Sequence, residues 1–231
     1  MLLPIKINLF CFRERKCIMK KISKKESKNT LEKHKKWLMN EKDGKRANLS
    51  YTDLSNADLN YAELQYADLN YAELGFADLN HANLAKANLY HANLQFAELR
   101  FANLAKADLS NANLQFSELR FANLTSADLS EANLSGANLT NAGLSNANLE
   151  FANLTQAKLP KQIIQIGPIG SRKSYTIINV DDDIITCGCW KGSLEEFKAR
   201  IDEVYPDDGK YRAQYLGVIS LVESLRSVEN A

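Results

Sequence analysis

Several short motifs in this sequence have residue types and spacings that chemistry can use. Cys187-Gly188-Cys189-Trp190 places two thiols on one side of an extended segment. Zinc takes about four ligands, and the other His and Cys residues lie far away in the chain. A redox pair is normally spaced CxxC. The pair therefore reads as structural thiols. Asp181-Asp182-Asp183 offers three adjacent carboxylates. Calcium loops space their ligands and close with a Glu, so this run reads as a solvated turn. Ser171-Arg172-Lys173 beside Gly170 could hold an anion on backbone amides, or form a hairpin tip. No nucleophile–base or acid–base constellation has a supporting context. The expectation is a non-enzymatic chain with no catalytic residue, no cofactor and no metal.

The elements that would position these residues follow from charge and pattern. Hydrophobic residues make up 45% of 231 and charged residues 25%, with a net charge of +1. That balance hides an uneven split. Residues 1–46 carry 15 Lys/Arg against 5 Asp/Glu, residues 47–159 carry 5 against 12, and residues 160–231 carry 9 against 11. No apolar run approaches the ~18 residues of a membrane span. The apolar stretch Ile7–Phe12 precedes its basic residues and lacks a small-residue cleavage site, unlike a signal peptide. A cytoplasmic location is expected. Residues 1–18 read as a doubtful extension ahead of a start at Met19. Four cysteines are too few for a disulfide scaffold.

From Met19 to residue 46 the sequence predicts a basic helix. Ser23 and Glu26 have capping-box spacing, Leu31, His34, Trp37 and Leu38 share one side, and the helix should stop near Gly44. His34 reads as a packing residue beside Trp37. The lysines read as a solvated face. Any direct contact with nucleic acid would use this basic segment.

The middle of the chain has a period of five. Leucine recurs at every fifth position from Leu49 to Leu159, 23 times. Two residues before each stands alanine, replaced only by Thr52 and Ser117. Leucines every five residues would spiral around an α-helix and alternate faces along a strand. The chain must therefore turn a corner in each repeat, with one Leu and one Ala pointing inward. Such repeats are stable only when stacked.

Residues 47–159, about half the chain, resemble the pentapeptide-repeat family, whose consensus is A(D/N)LXX. The resemblance implies a mainly β fold, a right-handed quadrilateral β-helix with four pentapeptides per coil. Twenty-three repeats then give about six coils, roughly 28 Å at about 4.8 Å per layer. Residues 20 apart should stack. Phe76, Phe96 and Phe116 would form one outward column, and Tyr61, His81, Phe101 and Phe121 the next. Tyr51, Tyr71 and His91 would form a third. These aromatics are expected to gather towards one side and to bind a protein partner; intrinsic ladder stabilisation or coverage by the terminal segments are the alternatives.

Asp58, Asp78, Glu98 and Glu118 would form an acidic column, with Arg100 and Arg120 two positions after the glutamates. Shorter acidic columns begin at Asp53 and Glu73, and at Asp68, Asp108 and Asp128. Relatives that confer quinolone resistance are held to mimic DNA and bind gyrase or topoisomerase IV. Duplex DNA carries about one charge per 1.7 Å, far denser than seven net charges over the expected rod. This chain also lacks loop insertions, and its end does not read as a helical dimerisation segment. DNA mimicry is therefore the second reading.

Residues 160–231 read as a small α/β module. Strands are expected at Ile163–Ile166, Tyr175–Asn179 and Ile184–Cys187, with Gly167–Gly170 as a turn. Ser193 and Glu196 form a second capping box ahead of a helix carrying Leu194, Phe197, Ile201 and Val204. A break at Pro206–Gly209 precedes a longer helix carrying Tyr211, Tyr215, Val218, Val222 and Leu225. The module is similar to one in uncharacterised bacterial and phage proteins, and that similarity implies no activity. It is expected to cap the open end of the rod. A ligand-binding or enzymatic role for it is a further alternative.

Overall fold

A computed structural model describes residues 19–160, 163–169, 174–180, 182–187, 190–206 and 209–229. Residues 1–18, Ser171–Lys173, Asp181, Cys189 and the Leu225 side chain lie outside the described set.

The period of five becomes a β-helix-like solenoid. Parallel bridges join residues 20 apart, from Asn48↔Asp68 to Asn138↔Lys158. One coil therefore takes four pentapeptides. Each repeat turns through a tight bend, closed where the alanine N–H donates to the carbonyl of the preceding leucine, as in Ala97 to Leu94 at 3.0 Å. Between bends, each chain segment bonds the coils before and after it: Leu99 N–H donates to Glu118, and Glu98 N–H to Ala77. Leucine and alanine fill the interior, and Leu64 through Leu139 are fully buried. Alanine is needed because two inward side chains per repeat must share a narrow axis. The two departures satisfy their hydroxyls locally: Ser117 donates to the Leu114 carbonyl at 2.8 Å and Thr52 to Ser50 at 3.2 Å.

The last residue of each bend is left-handed. At every fifth position from Tyr51 to Gln156, φ lies between +53° and +69°, and only Gly136 among them is glycine. A side chain there costs about 1–2 kcal/mol. The consensus Asp or Asn offsets part of that cost. Its Oδ1 accepts the N–H two residues ahead, as Asp78 does from Asn80 at 2.9 Å, which is an Asx turn. Asparagines also ladder between coils, with Asn113 Nδ2 donating to Asn93 Oδ1 at 3.1 Å.

At the N-terminal end, strand β1 (Lys20–Lys21) pairs in parallel with β2 (Thr52–Asp53). Helix α1 (Lys24–Leu38) follows, and Ser23 and Glu26 make the expected capping box. The helix ends at Leu38, earlier than Gly44. Gly44 instead lies against the helix backbone, where an added Cβ would fall 2.5 Å from the Trp37 nitrogen. Ile22 and Leu31 pack on the leucine core. His34 is fully buried and its Nδ1 accepts the Ala47 N–H at 3.1 Å. Trp37 stacks on it, with ring centroids 5.5 Å apart.

At the other end, four antiparallel strands run in chain order: β3 (Ile163–Ile169), β4 (Ser174–Asn179), β5 (Ile184–Cys187) and β6 (Trp190–Gly192). Two expectations change. Gly167 and Pro168 do not form a turn; β3 continues to Ile169, with a register shift between Ile166 and Ile169 that accommodates a proline within a strand. A fourth strand, β6, pairs with β5. Helices α2 (Leu194–Val204) and α3 (Gly209–Glu229) follow as expected. Alternation along β4 sends Ile177 into the core shared with the solenoid and Ile178 into a second core with Phe197, Ile201, Val218 and Val222. The sheet is thus buried on both sides. Asp182 fastens it to the solenoid by accepting the Asn146 N–H at 2.6 Å.

Candidate functional site

The outward columns are built by the 20-residue coil. Residues 76–81, 96–101 and 116–121 read FADLNH, FAELRF and FSELRF and lie on successive coils. In each, the first residue sits at one bend, the third projects from the flat segment, and the last two occupy the next bend. Phe76, Phe96 and Phe116 stack with centroids 4.8 and 5.2 Å apart. Tyr61, His81, Phe101 and Phe121 stack at 4.6, 5.0 and 5.0 Å, with planes within 4°. The rings remain exposed, from 40% for Phe96 to 67% for Tyr61. Their spacing is that of the coils themselves. Stacking supplies about 0.5–1.5 kcal/mol per pair, the same order as the cost of a left-handed bend.

The acidic column lies between these two ladders. Asp58, Asp78, Glu98 and Glu118 are bridged in sequence. The aromatic and acidic candidates, weighed as rivals from the sequence, therefore share one face. Their charges are partly engaged. Asp58 and Asp78 accept backbone N–H groups from Asn60 and Asn80. Glu98 pairs with Arg100, and Glu118 with Arg120 at 2.8 Å. Both pairs are partly exposed and contribute about 0–1 kcal/mol each.

The aromatics are more widely spread than expected. Tyr51, Tyr71 and His91 stack at 4.8 and 4.9 Å on a third bend. Three of the four bend columns carry stacked rings; the fourth holds Tyr66, Lys86 and Lys106 without a stack. The Phe76 ladder ends because Gly136 is next in its column. A Cβ there would meet the Phe116 ring at 2.5 Å. The sequence signal for this was present: glycine falls once among the left-handed bend positions, where the last ring needs room.

Of the C-terminal motifs, the described residues Asp182, Asp183 and Cys187 make local contacts. Asp182 also accepts from Asn179 at 2.6 Å, and Asp183 accepts the Leu194 N–H at the start of α2. The Thr176 hydroxyl donates to Cys187 Sγ at 3.2 Å. Burial, followed by the neighbouring Cys187, raises the Tyr215 hydroxyl well above its ordinary pKa, which keeps it neutral. Among the described residues no cluster of His, Cys, Asp and Glu could hold a metal, and no helix is long and apolar enough to cross a membrane.

Fold and face together define a solenoid repeat protein with an elaborated outer surface. The pentapeptide-repeat model matches in eight copies at residues 45–72, 67–100, 92–130 and 122–159, and the chain belongs to the pentapeptide-repeat family. It is 31% identical to the pentapeptide repeat protein Rfr23 of the cyanobacterium Cyanothece 51142, over 50% of this chain and 85% of that one, with a TM-score of 0.35. It is 40% identical to alr5209 of Nostoc PCC 7120, over 41% and 74%, with a TM-score of 0.24. It is 21% identical to QnrB1, a plasmid-mediated fluoroquinolone resistance protein, over 51% and 78%, with a TM-score of 0.21. No curated protein matches the chain.

Proposed function

We propose that this protein is a non-enzymatic, cytoplasmic pentapeptide-repeat protein that presents a rigid protein-binding face. On this reading residues 47–159 form a right-handed quadrilateral rod of about six coils. Residues 19–46 close one end, and the module of residues 160–231 closes the other. The contact residues are Phe76, Phe96, Phe116, Tyr61, His81, Phe101 and Phe121. The observation that carries the reading is the threefold repetition of one outward pattern, with two exposed ring ladders flanking a charged column. A soluble protein seldom leaves so many large rings exposed on a regular surface without use. A specific contact needs roughly 1,000 Å², and coils carrying ladders of this length offer surface of that order.

Mimicry of DNA by Asp58, Asp78, Glu98 and Glu118 is the second reading, favoured by their uninterrupted column. Arg100 and Arg120 weigh against it, since they leave only the two aspartates without a cationic neighbour two positions ahead. An affinity capture from bacterial lysate tests both. The bait is the full chain or its Phe96→Ser/Phe116→Ser variant, at low and high salt. The ladder reading expects a partner that survives high salt and is lost with the variant. A partner retained by the variant and lost only in salt overturns it in favour of mimicry.

A further inference from the structure

The N-terminal end carries a different surface. Between Lys20 and Arg46 stand eleven Lys/Arg against four Asp/Glu, and all eleven cations are exposed. Among the described residues, ion pairs occur on the middle coils and in the C-terminal module; none involves these eleven. Unpaired like charges at this density repel one another, and a polyanion would relieve that repulsion.

Two exposed rings sit within this charge. Trp37, 36% exposed, meets Tyr66, 43% exposed, edge to face with centroids 6.3 Å apart. Tyr66 occupies the one bend column without an aromatic ladder. Arg46 Nε donates to its carbonyl at 2.7 Å. Lys86 donates to its hydroxyl at 3.0 Å and lies 5.0 Å from its ring centroid. Lys106 follows one coil further on. Two carboxylates close to Tyr66 in sequence are engaged: Glu63 accepts from Gln65 at 2.6 Å, and Asp68 from Asn70 and Asn88. The basic helix therefore runs into a column that reads Arg46, Tyr66, Lys86 and Lys106, one ring among three cations.

We propose that α1, Trp37 and Tyr66, continued by Arg46, Lys86 and Lys106, bind single-stranded nucleic acid. The lysines and arginine track phosphates, and the rings give unpaired bases a surface to stack on. A duplex keeps its bases stacked inside and makes no use of the rings. A membrane is a poor fit, because α1 spends its apolar side on the solenoid and its outward side, apart from Trp37, is polar. This assignment is independent of the ring ladders on the 76–121 face.

The test is fluorescence anisotropy of a labelled 20-mer of deoxythymidine with the full chain. Binding is expected at 50 mM salt and should weaken about 50-fold at 200 mM if about four phosphates are contacted. Lys86→Glu/Lys106→Glu should weaken it at least tenfold. Tyr66→Asn, which keeps a residue tolerant of the left-handed bend, should weaken it about tenfold. Lys86→Gln serves as a milder variant, and circular dichroism checks that each variant folds. Phe96→Ser/Phe116→Ser should bind as wild type. Four outcomes overturn the proposal: no binding at 50 mM salt; no loss with the Lys86/Lys106 and Tyr66 variants; equal affinity for a 20-base-pair duplex; or binding to phosphatidylserine vesicles without binding to the oligonucleotide.

Discussion

His34 shows how one side chain couples the N-terminal helix to the rod. It is fully buried, and it accepts the Ala47 N–H, which requires an unprotonated Nδ1. Burial is the main cause that lowers its pKa, and the Arg46 charge adds to it; the Gln65 carbonyl acts in the opposite direction. A histidine whose folded pKa is depressed gives its full stabilisation above the unfolded value, near 6.5. That stabilisation is lost as the pH falls from there through the folded value, because the unfolded chain takes up the proton first. Urea melts between pH 7.5 and 5.5 should therefore show stability falling on the acid side, and His34→Gln should flatten that slope. An unchanged slope in the variant would assign the pH dependence elsewhere. Glu26 and Asp53 do not interfere in this window. Backbone N–H groups at Ser23 and Ser55 hold both carboxyls below their ordinary values, so both stay ionised throughout.

At the scale of elements, the contact between α1 and the chain that follows it rests on a missing side chain. Gly44 lies so near the backbone of Lys36 and Trp37 that a Cβ would fall 2.5–2.7 Å from it. Backbone cannot give way as a side-chain tip can. Gly44→Ala should therefore cost about 2 kcal/mol, read as an earlier urea transition and faster hydrogen exchange in α1, with the central coils unaffected. Unchanged exchange in α1 would show that the loop absorbs the extra atom. The sequence placed this glycine as a helix stop, and its actual use as a spacer depends on a fold-back that no local pattern encodes. The solenoid was legible for the opposite reason. Its period excludes both simple structures, and every repeat restates the same burial. The capping boxes at Ser23 and Ser193 were legible because they are local. Strand β6 was not, since Trp190-Lys191-Gly192 is too short to show alternation and forms by pairing with β5. The shared face was hidden because its ring and acidic columns interlock only once the coils are stacked. The three ring columns were legible as residues 20 apart, whereas their expected gathering on one side was the misjudgement.

Between its two ends the molecule behaves as a row of similar units, each bonded chiefly to its neighbours. Deleting residues 102–121 removes one full coil and restores Phe101-Ala122 as an ordinary junction, with every column still aligned. The shortened chain should fold, melt cooperatively and keep the remaining ring ladders stacked. Deleting residues 102–111 keeps the leucine period but carries the later columns two bends around. That chain should also fold, yet Phe116 and Phe121 would leave the face of Phe96 and Phe101. Loss of folding in the 20-residue deletion alone would show that coils are not equivalent. The uniform Leu and Ala interior has a consequence for how such a protein can change. Its core gives strength without address: one layer is nearly indistinguishable from the next, so nothing inside says where along the axis a point lies. Position is written only in the outward residues and at the two ends. Length can be edited in whole coils, and the message on the surface can be rewritten letter by letter, with the grammar of the interior left untouched.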